Sequence, residues 1–294
     1  MKKLLLFLLT GILSPSFSQS YQKQFSGLFS KKDTAGQRML LQKWEAADSN
    51  DAELYVSLFN YYVNKSRTNM LTIEKRPKSK ESFAITDSTS KTVGFINDGV
   101  WYDPTVDLGF AAIEKGISKF PERLDMRFGK TYVYGEIKDY EGFTMEIIKA
   151  IEYGQTINNK WTWSQGKPLS DARNFMLGNI QKYVFQMYNT GDDSLLKYMK
   201  QISETVLKYY PDHVESLSNM SIVCLLNKQY DEALGYLLKA EKITPHDYIV
   251  LGNIAQAYKL KGDKKKALKY YKLVLKHGDE QGKKYAEEQI KELE

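Results

Sequence analysis

Residues 214–247 and 248–281 match each other at a spacing of 34. A chain that repeats at this period folds as stacked copies of one unit, because a single copy cannot bury its apolar face alone. In the first copy Leu217, Met220, Ser221 and Cys224 share one face of a predicted helix, followed after a break by Ala233, Leu237 and Ala240, and then by Pro245. In the second copy Leu251, Ile254, Ala255 and Tyr258 are followed by Ala267, Tyr271 and Val274. Ser221, Ala233, Ala255 and Ala267 are small, which lets two helices cross closely while the large residues interlock around them. The breaks at 227–232 and 261–264 interrupt the helical period and offer Asp231 and Asp263 as helix starts.

This order of residues resembles the tetratricopeptide pattern, in which a large residue, an apolar and a small residue, and an aromatic precede Ala, an aromatic and a closing Pro. Departures are Leu217 and Leu251 in place of tryptophan, Cys224 in place of an aromatic, and Asp279 where the second copy should have its proline. The resemblance implies an all-α, tetratricopeptide-type helical-hairpin solenoid with repeats at 214–247 and 248–281. After them, 280–294 is a charged helix with a narrow stripe of Tyr285, Ala286, Ile290 and Leu293, as expected of a polar cap.

Upstream, 19–213 reads as degenerate helical repeats. Pro121, Pro211 and Pro245 recur in similar settings and mark repeat boundaries. Helices are expected near 37–47, 52–64, 105–119, 123–135, 140–153, 171–188 and 193–209. Two stretches, about 66–103 and 154–170, read as insertions. In the first, 82–86 and 91–96 alternate apolar residues at period two around 87–90, a small β-hairpin signal. The second is polar apart from Trp161 and Trp163.

Lys2 and Lys3 precede an apolar run from Leu4 to Leu13 and small Ser16 and Ser18, so 1–18 reads as a secretory signal peptide cleaved after Ser18. The run is too short to span a bilayer, which implies no stable membrane insertion after cleavage and a periplasmic or secreted protein. Removing Lys2 and Lys3 from 42 basic against 36 acidic residues leaves +4, which argues against a nucleic-acid partner. Lone Cys224 lies on an apolar helical face and reads as packing.

No motif announces chemistry. His213, His246 and His277 show no ligand spacing, so no metal or other cofactor is expected. Asp98, Asp103, Asp107, Glu136 and Asp139 lie near turns or insertions and are the residues a hydrolase would use as acid and base, but helix capping explains them better. The protein therefore reads as a non-enzymatic interaction module. Asn219 and Asn253 occupy equivalent places on the first helix of each repeat, and Gln256 and Lys259 extend that face, giving a groove for a protein or peptide partner. In tetratricopeptide relatives that clamp a peptide's terminal carboxylate, such asparagines act beside basic residues. Glu215 and Ile249 stand there instead, so the resemblance does not carry over a complete clamp. The alternative is a glycan-binding protein in which Trp101, Tyr102, Trp161 and Trp163 form a platform for sugar rings, with burial of these rings as the competing expectation.

Overall fold

The computed structural model describes residues 15–75, 77 and 82–294, with side chains from Ser20 onward. Residues 1–14 of the expected leader lie outside the described residues. The chain divides into two compact units, one of the described residues up to Lys138 with Thr162–Pro168, the other of Asp139–Trp161 with Leu169–Glu294.

The first unit contains α1 (Pro15–Ser30), α2 (Thr34–Ala47), α3 (Ala52–Ser66), β1 (Arg67–Glu74), β2 (Phe83–Thr86), β3 (Thr92–Tyr102), α4 (Val106–Lys119), α5 (Leu124–Glu136) and the two-residue strands β4 (Thr162–Trp163) and β5 (Lys167–Pro168). Helix α1 is absent from the sequence reading, because its apolar residues Tyr21, Phe25 and Leu28 are thinly spread through polar sequence. Tertiary contact makes up for that: Tyr21 stacks on Trp44 with ring centroids 5.5 Å apart, and Phe25 is buried. The Trp44 indole N–H donates to Asp51 Oδ2 at 2.9 Å, while Asp51 Oδ1 accepts the Glu53 N–H and caps α3. One carboxylate thus satisfies a fully buried donor and starts a helix.

The expected hairpin is two strands of a three-stranded antiparallel sheet in the order β1-β3-β2. Strand β2 pairs Phe83 with Ile96, and β3 runs on to Tyr102, where it meets Arg67 of β1. The third strand supplies stability that a lone hairpin lacks. Its sequence, Thr68-Asn69-Met70-Leu71, has no clean alternation, which is why periodicity does not reveal it.

The insertion between Thr162 and Pro168 is held to α3 by a buried ionic group. Arg123, 1 % exposed, meets Glu53 at 2.8 Å and clasps Asp125 with two hydrogen bonds at 2.8 and 2.7 Å. The Gln165 backbone N–H donates to Glu53 Oε1 at 2.7 Å, from a residue in the left-handed region at φ 61. Charged partners raise the Arg123 pKa even though burial opposes it. Removing one member strands charge in a dry site, so Arg123→Ala should cost about 3–5 kcal/mol in urea unfolding; a cost below about 1 kcal/mol would show that water reaches the cluster.

The second unit is helical: α6 (Tyr140–Thr156), α7 (Ala172–Thr190), α8 (Leu196–Tyr209), α9 (Val214–Leu226), α10 (Tyr230–Ile243), α11 (Tyr248–Lys261), α12 (Lys264–His277) and α13 (Glu280–Leu293). Helices α9 and α10 form one hairpin of the solenoid, α11 and α12 the next, and α13 covers the end. Leu217, Leu237, Leu251, Ile254 and Tyr271 build one core with Ala240, Ala255, Ala267 and Ala286; those alanines and Ala233 are fully buried. Asp263 caps α12 by accepting the Lys266 N–H at 3.1 Å. Asp231 does not cap α10, because that helix begins one residue earlier; Asp231 sits in its first turn and pairs with Lys261. The equivalent turn residues Lys228 and Gly262 both have positive φ, 61 and 88, so only the second repeat has the residue suited to that turn.

Because the small side chains set how near the helices come, Ala233→Trp should lower stability by at least about 2 kcal/mol and broaden the thermal transition; a melting curve like the wild type's would place the crossing elsewhere.

Candidate functional site

The first helix of each hairpin and the end helix line a groove of about 570 Å³ in the second unit. From α9 come Ile222, Leu225 and Leu226, from α11 Ile249, Gly252, Asn253, Gln256 and Leu260, and from α13 Gln281, Gly282 and Tyr285. Tyr188 of α7 contributes as well. Ile249, Gly252, Asn253, Gln256 and Leu260 follow helical spacing, so one stripe of α11 faces the groove. Several of these side chains are apolar yet open to solvent: Ile249 is 57 % exposed, Leu226 48 % and Leu260 44 %.

A polar clasp ties α11 to α13 at one end. The Tyr248 hydroxyl donates to Asp279 Oδ2 at 2.8 Å, and Asp279 Oδ1 accepts the Gly282 N–H at 2.7 Å as the cap of α13. These two donors hold the Asp279 carboxyl below the usual range, and the same bond raises Tyr248. Gly282 gives the Tyr248 ring its place, since a Cβ there would stand 3.0 Å from the ring and press it aside. Deeper in, Gln256 Oε1 accepts the Tyr271 hydroxyl at 2.9 Å and the Tyr285 hydroxyl at 3.4 Å, joining α12 and α13 to α11.

Of the four expected groove residues, Asn253 and Gln256 lie in the groove and two do not. Asn219 is 5 % exposed and exchanges amide hydrogen bonds with Gln181 of α7, at 2.7 and 3.3 Å, a partner that the repeat pattern does not specify. Lys259 points to α13, donating to Gln289 at 2.7 Å and Glu292 at 2.5 Å; the groove stripe continues through Leu260. Tyr188, Gln281 and Tyr285 reach the groove from α7 and α13, outside the two repeats, and Tyr248 opens α11 at a position the repeat pattern leaves unspecified.

The aromatic platform does not form as expected. Trp161 is 1 % exposed, packed near Tyr153 at 5.7 Å and against Gly154, whose missing side chain makes room for the indole. A buried ring offers no face to a sugar. Trp163 and Tyr102 are half-buried, and Trp101 is 53 % exposed on β3. Among the acidic candidates, Asp139 caps α6, Asp103 accepts the Thr105 N–H, Asp107 lies in the first turn of α4, Glu136 ends α5, and Asp98 is exposed on β3. His246 and His277 stack with centroids 4.5 Å apart, and burial followed by the His246 and Lys276 charges lowers the His277 pKa. Among the described residues no group of three or more His, Cys, Asp or Glu is placed to hold a metal ion, and no helix is long and apolar enough to cross a membrane.

Cys224 is buried on α9, and burial pushes its thiol up to about 11. Iodoacetamide at pH 8 should leave it unmodified in the native protein and alkylate it fully in urea; rapid native labelling would mean that α9 opens readily.

No protein-family model matches the chain, and no curated protein matches it. Similar solved structures include the C-terminal part of a TPR repeat-containing protein from Cytophaga hutchinsonii, with 16 % identity, a TM-score of 0.43, and coverage of 87 % of this chain and 78 % of that one. YrrB, described as a TPR protein with an unusual peptide-binding site, has 14 % identity, a TM-score of 0.40, and coverage of 84 % and 97 %. PilW, described as a type IV pilus biogenesis factor, has 10 % identity, a TM-score of 0.40, and coverage of 92 % and 98 %. The chain resembles tetratricopeptide-repeat proteins, most clearly over 214–281, where its own helices repeat the 34-residue hairpin.

Proposed function

We propose that this chain is an exported, non-enzymatic interaction scaffold whose groove between α9, α11 and α13 holds a peptide or protein segment. The observation that carries the reading is the groove itself: about 570 Å³, open, and walled by solvent-exposed Ile249, Leu226 and Leu260 beside the Asn253 and Gln281 amides. Apolar side chains left in water at a concave surface gain from being covered, and the amides can meet the backbone of an extended chain. Helices tied together by the Tyr248–Asp279 and Gln256–Tyr271 bonds present that surface with little rearrangement. Export rests on the leader-like 1–18 segment and cleavage after Ser18, which would place the protein in the periplasm or outside the cell.

Gly252 gives a direct test. It lines the groove, and a Cβ added there meets only Val274, at an ordinary 3.8 Å, so a larger side chain projects into the groove without breaking the helix. In selections from a displayed random octapeptide library, the wild type should enrich peptides that Gly252→Phe fails to retain, with affinity reduced at least about tenfold and melting temperature unchanged or raised. Equal retention by the folded variant would remove the groove as the binding surface.

A further inference from the structure

Resting on the groove as a peptide site, the charge of its lining bears on what kind of segment it takes. Among the described residues that line it, Asp279 alone carries a charge. Its carboxylate is exposed at the end of the groove, so a ligand can reach it. Its acceptor positions are met by the Gly282 N–H and the Tyr248 hydroxyl, with the Gln281 N–H also turned toward it; a carboxylate has about four, which leaves room for an ammonium or guanidinium group. An aspartate is ionised at neutral pH, and the Gly282 and Tyr248 donors lower its pKa further, with Lys283 on the next turn adding the smallest part. At the same end of the groove, exposed Ile249 follows Tyr248 on α11.

We propose that the groove selects apolar peptide segments carrying a lysine or arginine side chain that pairs with Asp279, and rejects acidic segments and free C-terminal carboxylates. Selectivity against anions follows from the same residue: a bound carboxylate would face Asp279, and among the described residues that line the groove there is no lysine or arginine to hold it, Lys283 lying outside the lining. Tyr248 and Gly282 act as positioning residues, fixing the carboxylate at the groove's end through bonds that do not depend on the ligand.

Asp279→Asn isolates the charge, because asparagine caps a helix as well as aspartate: its Oδ1 keeps the Gly282 N–H, and its Nδ2 takes the place of Oδ2 and donates to the Tyr248 hydroxyl oxygen. Octapeptides selected by the wild type should carry Lys or Arg about tenfold more often than Asp or Glu, whereas Asp279→Asn should keep the apolar preference and lose the cationic one. A second measurement needs no protein variant: by fluorescence anisotropy, changing lysine to glutamate in one selected peptide should weaken wild-type binding at least about tenfold. Selection of acidic or carboxylate-ended peptides, or a cationic preference that survives in Asp279→Asn, would overturn the charge assignment while groove binding stands through its loss in Gly252→Phe. Absence of any groove-dependent selection would overturn both.

Discussion

Close approach of helices at alanine is the constraint on which the second unit depends. Ala233, Ala255 and Ala267 are fully buried where neighbouring helices meet, and their size fixes the distance at which Leu237, Leu251 and Tyr271 interlock. A hairpin of two helices has one face it cannot cover by itself, so α9–α10 needs α11–α12, and that pair needs α13. The charged sequence of α13, with Ala286 its one fully buried residue, lets it pack inward and meet water outward.

The groove is a product of that stacking. Because the first helices of successive hairpins lie side by side, α9, α11 and α13 present one stripe each to a common surface, and side chains far apart in sequence become neighbours. Hydrogen bonds then fix the surface: Gln256 gathers Tyr271 and Tyr285, while Asp279 joins Tyr248 to the start of α13. The position where a repeat would carry a closing proline is Asp279, so a departure from the pattern supplies the one charge in the groove lining.

The repeat was legible because its physics is local and periodic: small residues at crossings, large ones between them, breaks at fixed offsets. The hairpin insertion was legible from alternation between Phe83 and Ile96. Other features depended on partners distant in sequence. Helix α1 is held by Trp44, and β1 is specified by pairing with β3 rather than by its own pattern. Asn219 matches Asn253 by repeat position, yet α7 covers the one and leaves the other in the groove. Lys259 and Leu260 are adjacent, and only the path of α13 decides which of them faces a ligand. The Glu53–Arg123–Asp125 cluster joins three chain segments with Gln165 and has no local signature at all.

The groove depends on α9 to α12 forming one cooperative stack. Native-state hydrogen exchange of the whole chain under rising denaturant tests it most directly. Amides in the middle of α9, α10, α11 and α12 should converge on one opening free energy, with the ends of α13 exchanging earlier. Separate opening of the α9–α10 hairpin while α11–α12 stays protected would contradict it, because the groove would then have no fixed wall.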